Sequence, residues 1–205
     1  MENQTLHYYL SLQSPWTYLG HERLCAIARK HEFKISIFPV DYGVIFPATG
    51  GLPLPKRAPE RRAYRLLELK RWRTALELPL NLEPRFFPAD DKLAMRLVVA
   101  VRREDPEAAV ELAGRILRAV WAEERDIADE SCLKDILSEQ GLDAENLFAT
   151  ALENSTVERI VKDTDLAITK GVFGAPTYIV GTEVFWGQDR LDFLERQLVN
   201  LTATA

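Results

Sequence analysis

Ser14-Pro15-Trp16-Thr17-Tyr18-Leu19 follows at once on the apolar run Leu6-His7-Tyr8-Tyr9-Leu10-Ser11-Leu12. That run is rich in β-formers and reads as a strand. Beyond the stretch, Gly20, Leu24 and Ile27 recur at helical spacing. Ser14 therefore stands where a strand stops and a helix starts, with Pro15 at the first helical position, where a missing N–H costs nothing. A helix start offers unpaired N–H groups and partial positive charge, so it favours anions. A hydroxyl there either caps the helix or hydrogen-bonds a bound thiolate or carboxylate. For an isolated Ser-Pro the cap is the commoner role.

Working outward, Phe33-Lys34-Ile35-Ser36-Ile37-Phe38-Pro39-Val40 reads as a second strand. With the first strand and helix it makes a βαβ unit, which implies a parallel pair and a right-handed crossover. Residues 41–59 carry Gly43, Pro47, Gly50, Gly51, Pro53, Pro55 and Pro59 and are expected to form a long loop. From Glu60 to about Lys170 every periodic segment is helical. Leu66, Leu69, Trp72 and Leu76 mark one helix; Asp90, Asp105-Pro106, Asp129, Asp143 and Ser155 start others. The β pattern returns in Thr177-Tyr178-Ile179-Val180 and Glu183-Val184-Phe185-Trp186, joined by Gly181-Thr182 as a tight hairpin. A last helix bears Leu191, Leu194, Leu198 and Leu201. The order β-α-β, helices, β-β-α is that of an α/β thioredoxin-like fold with a large all-helical insertion. It divides the chain into residues 1–42 plus 171–205, the thioredoxin-like part, and residues 43–170, the inserted loop and helices.

The totals narrow the function classes. A chain of 205 residues with 47% hydrophobic content can bury a substantial core. A net charge of −5 argues against a general nucleic-acid binder. No apolar run approaches a membrane span of roughly 20 residues. Met1 to Thr5 shows neither the basic nor the apolar region of a secretory leader, so a cytoplasmic protein is expected. Cys25 and Cys132 form no C-x-x-C pair, and Cys25 sits beside Leu24 as a core thiol would. His7, His21 and His31 lack metal-ligand spacing and an obvious carboxylate partner, so no metal is expected. Trp121 and Trp186 read as core or interface residues.

Five stretches resemble the 2-hydroxychromene-2-carboxylate isomerases, a family akin to DsbA and the kappa-class glutathione transferases. They are Ser14–Leu19, Pro47-Ala48-Thr49-Gly50-Gly51-Leu52-Pro53, Pro59-Glu60-Arg61-Arg62-Ala63-Tyr64, Gly171-Val172-Phe173-Gly174-Ala175-Pro176-Thr177-Tyr178, and Phe185-Trp186-Gly187-Gln188-Asp189-Arg190-Leu191. The last two, in tandem and correctly spaced, are the most specific. Ser14 stands where disulfide oxidoreductases of this fold carry the first Cys of C-x-x-C, and Thr17 replaces the second, so dithiol exchange is excluded by residue type. The resemblance implies glutathione as co-substrate, its thiolate stabilised by the Ser14 hydroxyl. It implies a cis Ala175–Pro176 bond beside that site, with the Ala175 backbone pairing with the tripeptide as an added strand. Gln188 and Asp189 would hold the γ-glutamyl end; Asp189 reads equally well as a helix cap.

Between Lys56 and Arg73 eight basic residues face two acids, a local excess of 8 − 2 = +6. A solvated helix face is the usual cause. The alternative gives Arg61, where the family has Lys, the glycine carboxylate of glutathione or the substrate's own. Two departures stand out: Gly51 and Asp90 each replace an asparagine of the family pattern. The activity implied is cis–trans isomerisation of an unsaturated keto acid by a homodimer. The alternatives are a kappa-like glutathione transferase and a non-catalytic binding module.

Overall fold

β1 (Thr5–Leu10) holds the middle of a four-stranded sheet of order β2-β1-β3-β4. The structure, a computed structural model, describes residues 4–203. β1 pairs parallel with β2 (Lys34–Pro39) and antiparallel with β3 (Thr177–Val180), which pairs antiparallel with β4 (Glu183–Trp186). The register sets Leu10 opposite Pro39, Tyr9 opposite Thr177 and Thr177 opposite Trp186. One end of the sheet therefore gathers the exit of β1, the exit of β2, the start of β3 and the exit of β4.

Strand alternation builds two cores. Leu6, Tyr8 and Leu10 face the larger, where Tyr8 stacks on Tyr178 at 5.5 Å between ring centroids. Tyr9 faces the smaller, stacked on Phe38 at 4.9 Å and packed with Val40, Ile45, Ala167, Val172 and Ile179.

α1 (Pro15–Lys30) crosses from β1 to β2. α2 (Tyr42–Thr49) corrects the sequence expectation of a loop over 41–59. Asp41 caps it, its carboxylate accepting from Gly43 N–H at 2.7 Å, and Gly50 ends it in the left-handed region at φ +77°. Its Gly and Pro residues disguise the helix in the sequence; Ile45, fully buried in the smaller core, anchors it. A single 3₁₀ turn, Leu54–Lys56, precedes α3 (Pro59–Leu76).

α4 (Lys92–Glu104) and α5 (Pro106–Trp121) follow, joined by Asp105, which caps α5 by accepting from Glu107 and Ala108 N–H. α6 (Glu130–Glu139), α7 (Ala144–Leu152) and α8 (Asn154–Thr169) complete the helical block, and α9 (Leu191–Ala203) closes the chain. The larger core runs without a break from the sheet into α4 and α5, so both parts of the chain share it. Arg102 of α4 ties the block to the sheet. Its guanidinium donates to the Ile37 carbonyl and to Asp163 of α8, each at 2.6 Å, and lies 5.0 Å from the Phe38 ring.

Candidate active site

Ser14 sits at the cap of α1 with extended backbone angles (φ −81°, ψ 125°), and its Oγ accepts from Thr17 N–H at 3.3 Å. The cap and the ligand role are therefore compatible. The oxygen serves the helix, while the hydroxyl proton is donated to no acceptor among the described residues. Thr17 is buried and its own hydroxyl is unpaired. Neither cysteine lies in the stretch. Cys25 stands on α1 beside His21, its Sγ 3.8 Å from Nε2, and burial pushes its thiol up to about 12. The same burial draws His21 down to about 4, so it stays neutral at physiological pH.

The sheet register brings Pro176 to Ser14's end of β1. Pro176 immediately precedes β3, and Thr177 pairs with Tyr9. The Ala175–Pro176 bond is cis, as the resemblance implies. Three bonds fix this turn: Gly187 N–H to the Pro176 carbonyl at 2.9 Å, and the hydroxyls of Tyr42 and Thr177 to the Gly174 carbonyl at 3.0 and 2.6 Å. Ala175, half-buried, has no backbone hydrogen bond among the described residues. Its N–H and C=O are thus available to an added extended peptide.

Gln188 and Asp189 lie in a 3₁₀ turn, Gln188–Arg190, entered through Gly187 at φ +105°. Gln188 is buried and turned toward α1: its side-chain oxygen accepts from Arg23 Nη1 at 2.9 Å, and its carbonyl accepts from the same nitrogen at 3.3 Å. Its amide is a strut between two elements. Asp189 is exposed, paired with Arg190 at 3.1 Å, and caps no backbone N–H among the described residues. Of the two, only Asp189 carries an exposed carboxylate, and its partner Arg190 is exposed as well.

Arg61 is exposed on the first turn of α3, with Arg57 as its charged neighbour, and touches neither Ser14 nor Pro176. Gly51 is connected to the site indirectly. A Cβ there would lie 2.4 Å from Phe46 Cδ1, and Phe46 packs on Tyr42, whose hydroxyl reaches Gly174. The Phe46 ring thus fills the place of a side chain at position 51. Trp121 is fully buried, whereas Trp186 is exposed and meets the Phe173 ring at 4.7 Å, tilted by 57°. His31, expected to lack a carboxylate partner, has one in Glu195 at 3.0 Å.

Sequence reasoning stressed Asp90, but Asp90 is exposed and accepts from Lys92 N–H at 3.1 Å. The acid nearer the site is Asp91, half-buried at the start of α4 and hydrogen-bonded to Gln13, the residue before Ser14. Burial, reinforced by the charges of Asp90 and Asp41, raises its pKa to about 6. The adjacent Asp90-Asp91 pair was the only hint.

The family model of the DSBA-like thioredoxin domain matches residues 5–199. The chain is 30% identical to the 2-hydroxychromene-2-carboxylate isomerase of Pseudomonas putida over 198 residues, 95% of this chain and 94% of that one. To the protein of the same name in Sphingobium xenophagum it is 29% identical over 198 residues, 96% and 99% of the two chains. A solved 2-hydroxychromene-2-carboxylate isomerase superposes with a TM-score of 0.80 at 26% identity, covering 98% of this chain and 97% of that one. These agreements run nearly the length of the chain: the chain belongs to the 2-hydroxychromene-2-carboxylate isomerase family of the DSBA-like thioredoxin domain.

Proposed function

We propose that this protein is a glutathione-dependent cis–trans isomerase of an unsaturated keto acid of the 2-hydroxychromene-2-carboxylate kind. The observation that carries the reading is the Ser14 hydroxyl, placed at a helix start with its proton uncommitted and no protein thiol beside it. The residues present fit glutathione: an uncommitted hydroxyl donor for the sulfur, an unpaired Ala175 backbone for the tripeptide, and an exposed Asp189 for its ammonium. Bound glutathione supplies a nucleophilic thiolate that adds to the conjugated double bond and leaves again once the resulting single bond has rotated.

The chain's own part is electrostatic and positional. Ser14 donates its hydroxyl proton as a hydrogen bond to sulfur, and the start of α1 favours the anion over the thiol. Ala175 orients the peptide, while Arg61 and the basic face of α3 attract carboxylates. No redox change occurs. Among the described residues no His, Cys, Asp and Glu cluster could hold a metal, and no helix is long and apolar enough to cross a membrane. A cytoplasmic homodimer belongs to the same reading. Two free cysteines suit a reducing compartment, and exposed Val184, Trp186 and Phe193 beside the edge strand β4 suit a second copy.

Ser14→Ala tests the proposal. Loss of one donor to a developing or resident anion is expected to lower kcat/KM about 10²-fold, while the fold stays intact and the melting temperature drops only by the equivalent of the roughly 1 kcal/mol that the lost helix cap costs. A fully active variant refutes the role. Glutathione recovered unchanged after complete turnover marks an isomerase; stoichiometric consumption marks a transferase.

A further inference from the structure

Arg65 stands in the middle of α3 with its guanidinium carbon 5.4 Å from the centroid of the Phe87 ring and 5.7 Å from that of Trp121. The two rings meet each other at 4.9 Å, tilted by 50°. The side chain is half-buried, and Nη2 is enclosed without a hydrogen-bond partner. No carboxylate among the described residues pairs with Arg65; the charge nearest in influence is Arg57, another cation. Burial first and Arg57 second draw its pKa down to about 10, so it remains charged at neutral pH.

A desolvated cation without an anion is costly, and a methionine would fill the same space between two rings at smaller cost. A cation–π contact uses the charge of a guanidinium and leaves its N–H donors uncommitted. The arrangement therefore holds a rigid donor fork in readiness for an acceptor that the protein itself does not supply.

The cluster lies at Ser14's end of α1. α5 runs antiparallel to α1, because Gly114 abuts His21 and Arg118, one turn later, acts on Tyr18. Trp121, at the end of α5, therefore falls near the start of α1. Phe87 arrives from the other side, four residues ahead of Asp91, which is hydrogen-bonded to Gln13. The two rings that hold Arg65, packed on each other, thus both lead toward Ser14's end of α1, Trp121 along α5 and Phe87 along the chain to Asp91.

We propose that Arg65, held between Phe87 and Trp121, binds the carboxylate of a conjugated or aromatic acid, and so selects the substrate acid of the Ser14 site. The use made of that acid rests on the isomerase reading; the binding does not.

The probe is 2-hydroxycinnamate, titrated by calorimetry without glutathione into the full chain, with its methyl ester as the uncharged control. Arg65→Met is expected to weaken 2-hydroxycinnamate about tenfold or more, the size of one lost charge-assisted bond. The ester should bind both proteins equally, and the Kd for glutathione should change less than about twofold. Arg65→Lys, which keeps the charge and loses the fork, should fall between and guards against misfolding of the first variant. In turnover Arg65→Met should raise KM with little change in kcat. Equal affinity of wild type and Arg65→Met for the probe overturns the proposal, as does a wild type that ignores the probe. A parallel tenfold loss of glutathione would assign Arg65 to the tripeptide and overturn it too. A wild type that binds the probe through Arg65 but isomerises nothing defeats the isomerase reading alone.

Discussion

Asp91 hydrogen-bonds Gln13, the residue that precedes Ser14, and so sets a titratable acid beside the start of α1. Its pKa stands at about 6, above the ordinary 3.8, because burial and the neighbouring Asp90 and Asp41 disfavour its charge. The folded state therefore binds more protons than the unfolded one between about pH 4 and 6. This contribution to stability is complete below the ordinary pKa and is lost as pH rises through 6. Asp91→Asn should then be more stable than wild type by about 1–2 kcal/mol at pH 8, after discounting for solvent, and gain nothing at pH 3.5. Urea unfolding across that range checks it; a difference independent of pH would contradict it. A carboxylate here also opposes a nearby thiolate, so the same variant should lower the pKa of bound glutathione's thiol, read by ultraviolet absorbance of the thiolate.

Gly20 separates α1 from the turn that carries Asp189. A Cβ at position 20 would lie 2.8 Å from Tyr178 Oη and 2.8 Å from Gln188 Cβ, closer than real contacts allow. Gly20→Ala should therefore push the Gln188–Arg190 turn off α1, at about 1–3 kcal/mol of stability. Glutathione affinity should fall with it, although position 20 touches no ligand in the proposed reading. Unchanged melting and unchanged calorimetric affinity would mean that the turn is not set by this contact.

Asp163 is nearly sealed, with 2% of its side chain exposed, and takes bonds from both Arg102 at 2.6 Å and Arg159 at 2.9 Å. Arg102 is itself 12% exposed, so Asp163→Ala strands a buried cation and should cost about 3–5 kcal/mol. Removing both charges as Arg102→Met with Asp163→Leu should cost much less than the sum of the single losses. Additive losses in this double-mutant cycle would show that the two side chains do not act as a pair.

The scaffold was legible in the sequence where local chemistry decides the outcome. The β-forming run Leu6 to Leu10, the Ser14-Pro15 helix start, the Gly181 turn and the caps Asp105, Asp129 and Asp143 all act within a few residues, and each formed as read. α2 was hidden because its glycines and prolines argue for a loop, while Ile45 is held by Ala167 and Val172 from the far end of the chain. The orientation of Gln188 was equally out of reach: its partner Arg23 lies 165 positions away. Arg65 read as one more charge on a basic helix, since only folding brings Phe87 and Trp121 around it.

Gly51 offers the last test, because its departure from the family pattern has a visible counterpart. Phe46 Cδ1 lies 2.4 Å from where a Cβ at position 51 would stand, so the ring and an asparagine compete for one volume. Gly51→Asn alone should force the ring aside and lower stability by about 1–3 kcal/mol, or roughly 2–4 °C of melting temperature per kcal/mol in a chain of this size. Phe46 also packs on Tyr42, which holds the Gly174 carbonyl, so the disturbance should reach the Ala175–Pro176 turn and weaken glutathione binding as well. Combined with Phe46→Ala, the asparagine gains room, and the second substitution should return part of the loss that the first causes. Melting curves of the two single variants and the double give the coupling directly. Strict additivity would mean that the ring moves away freely and that Phe46 does not stand in for the missing side chain.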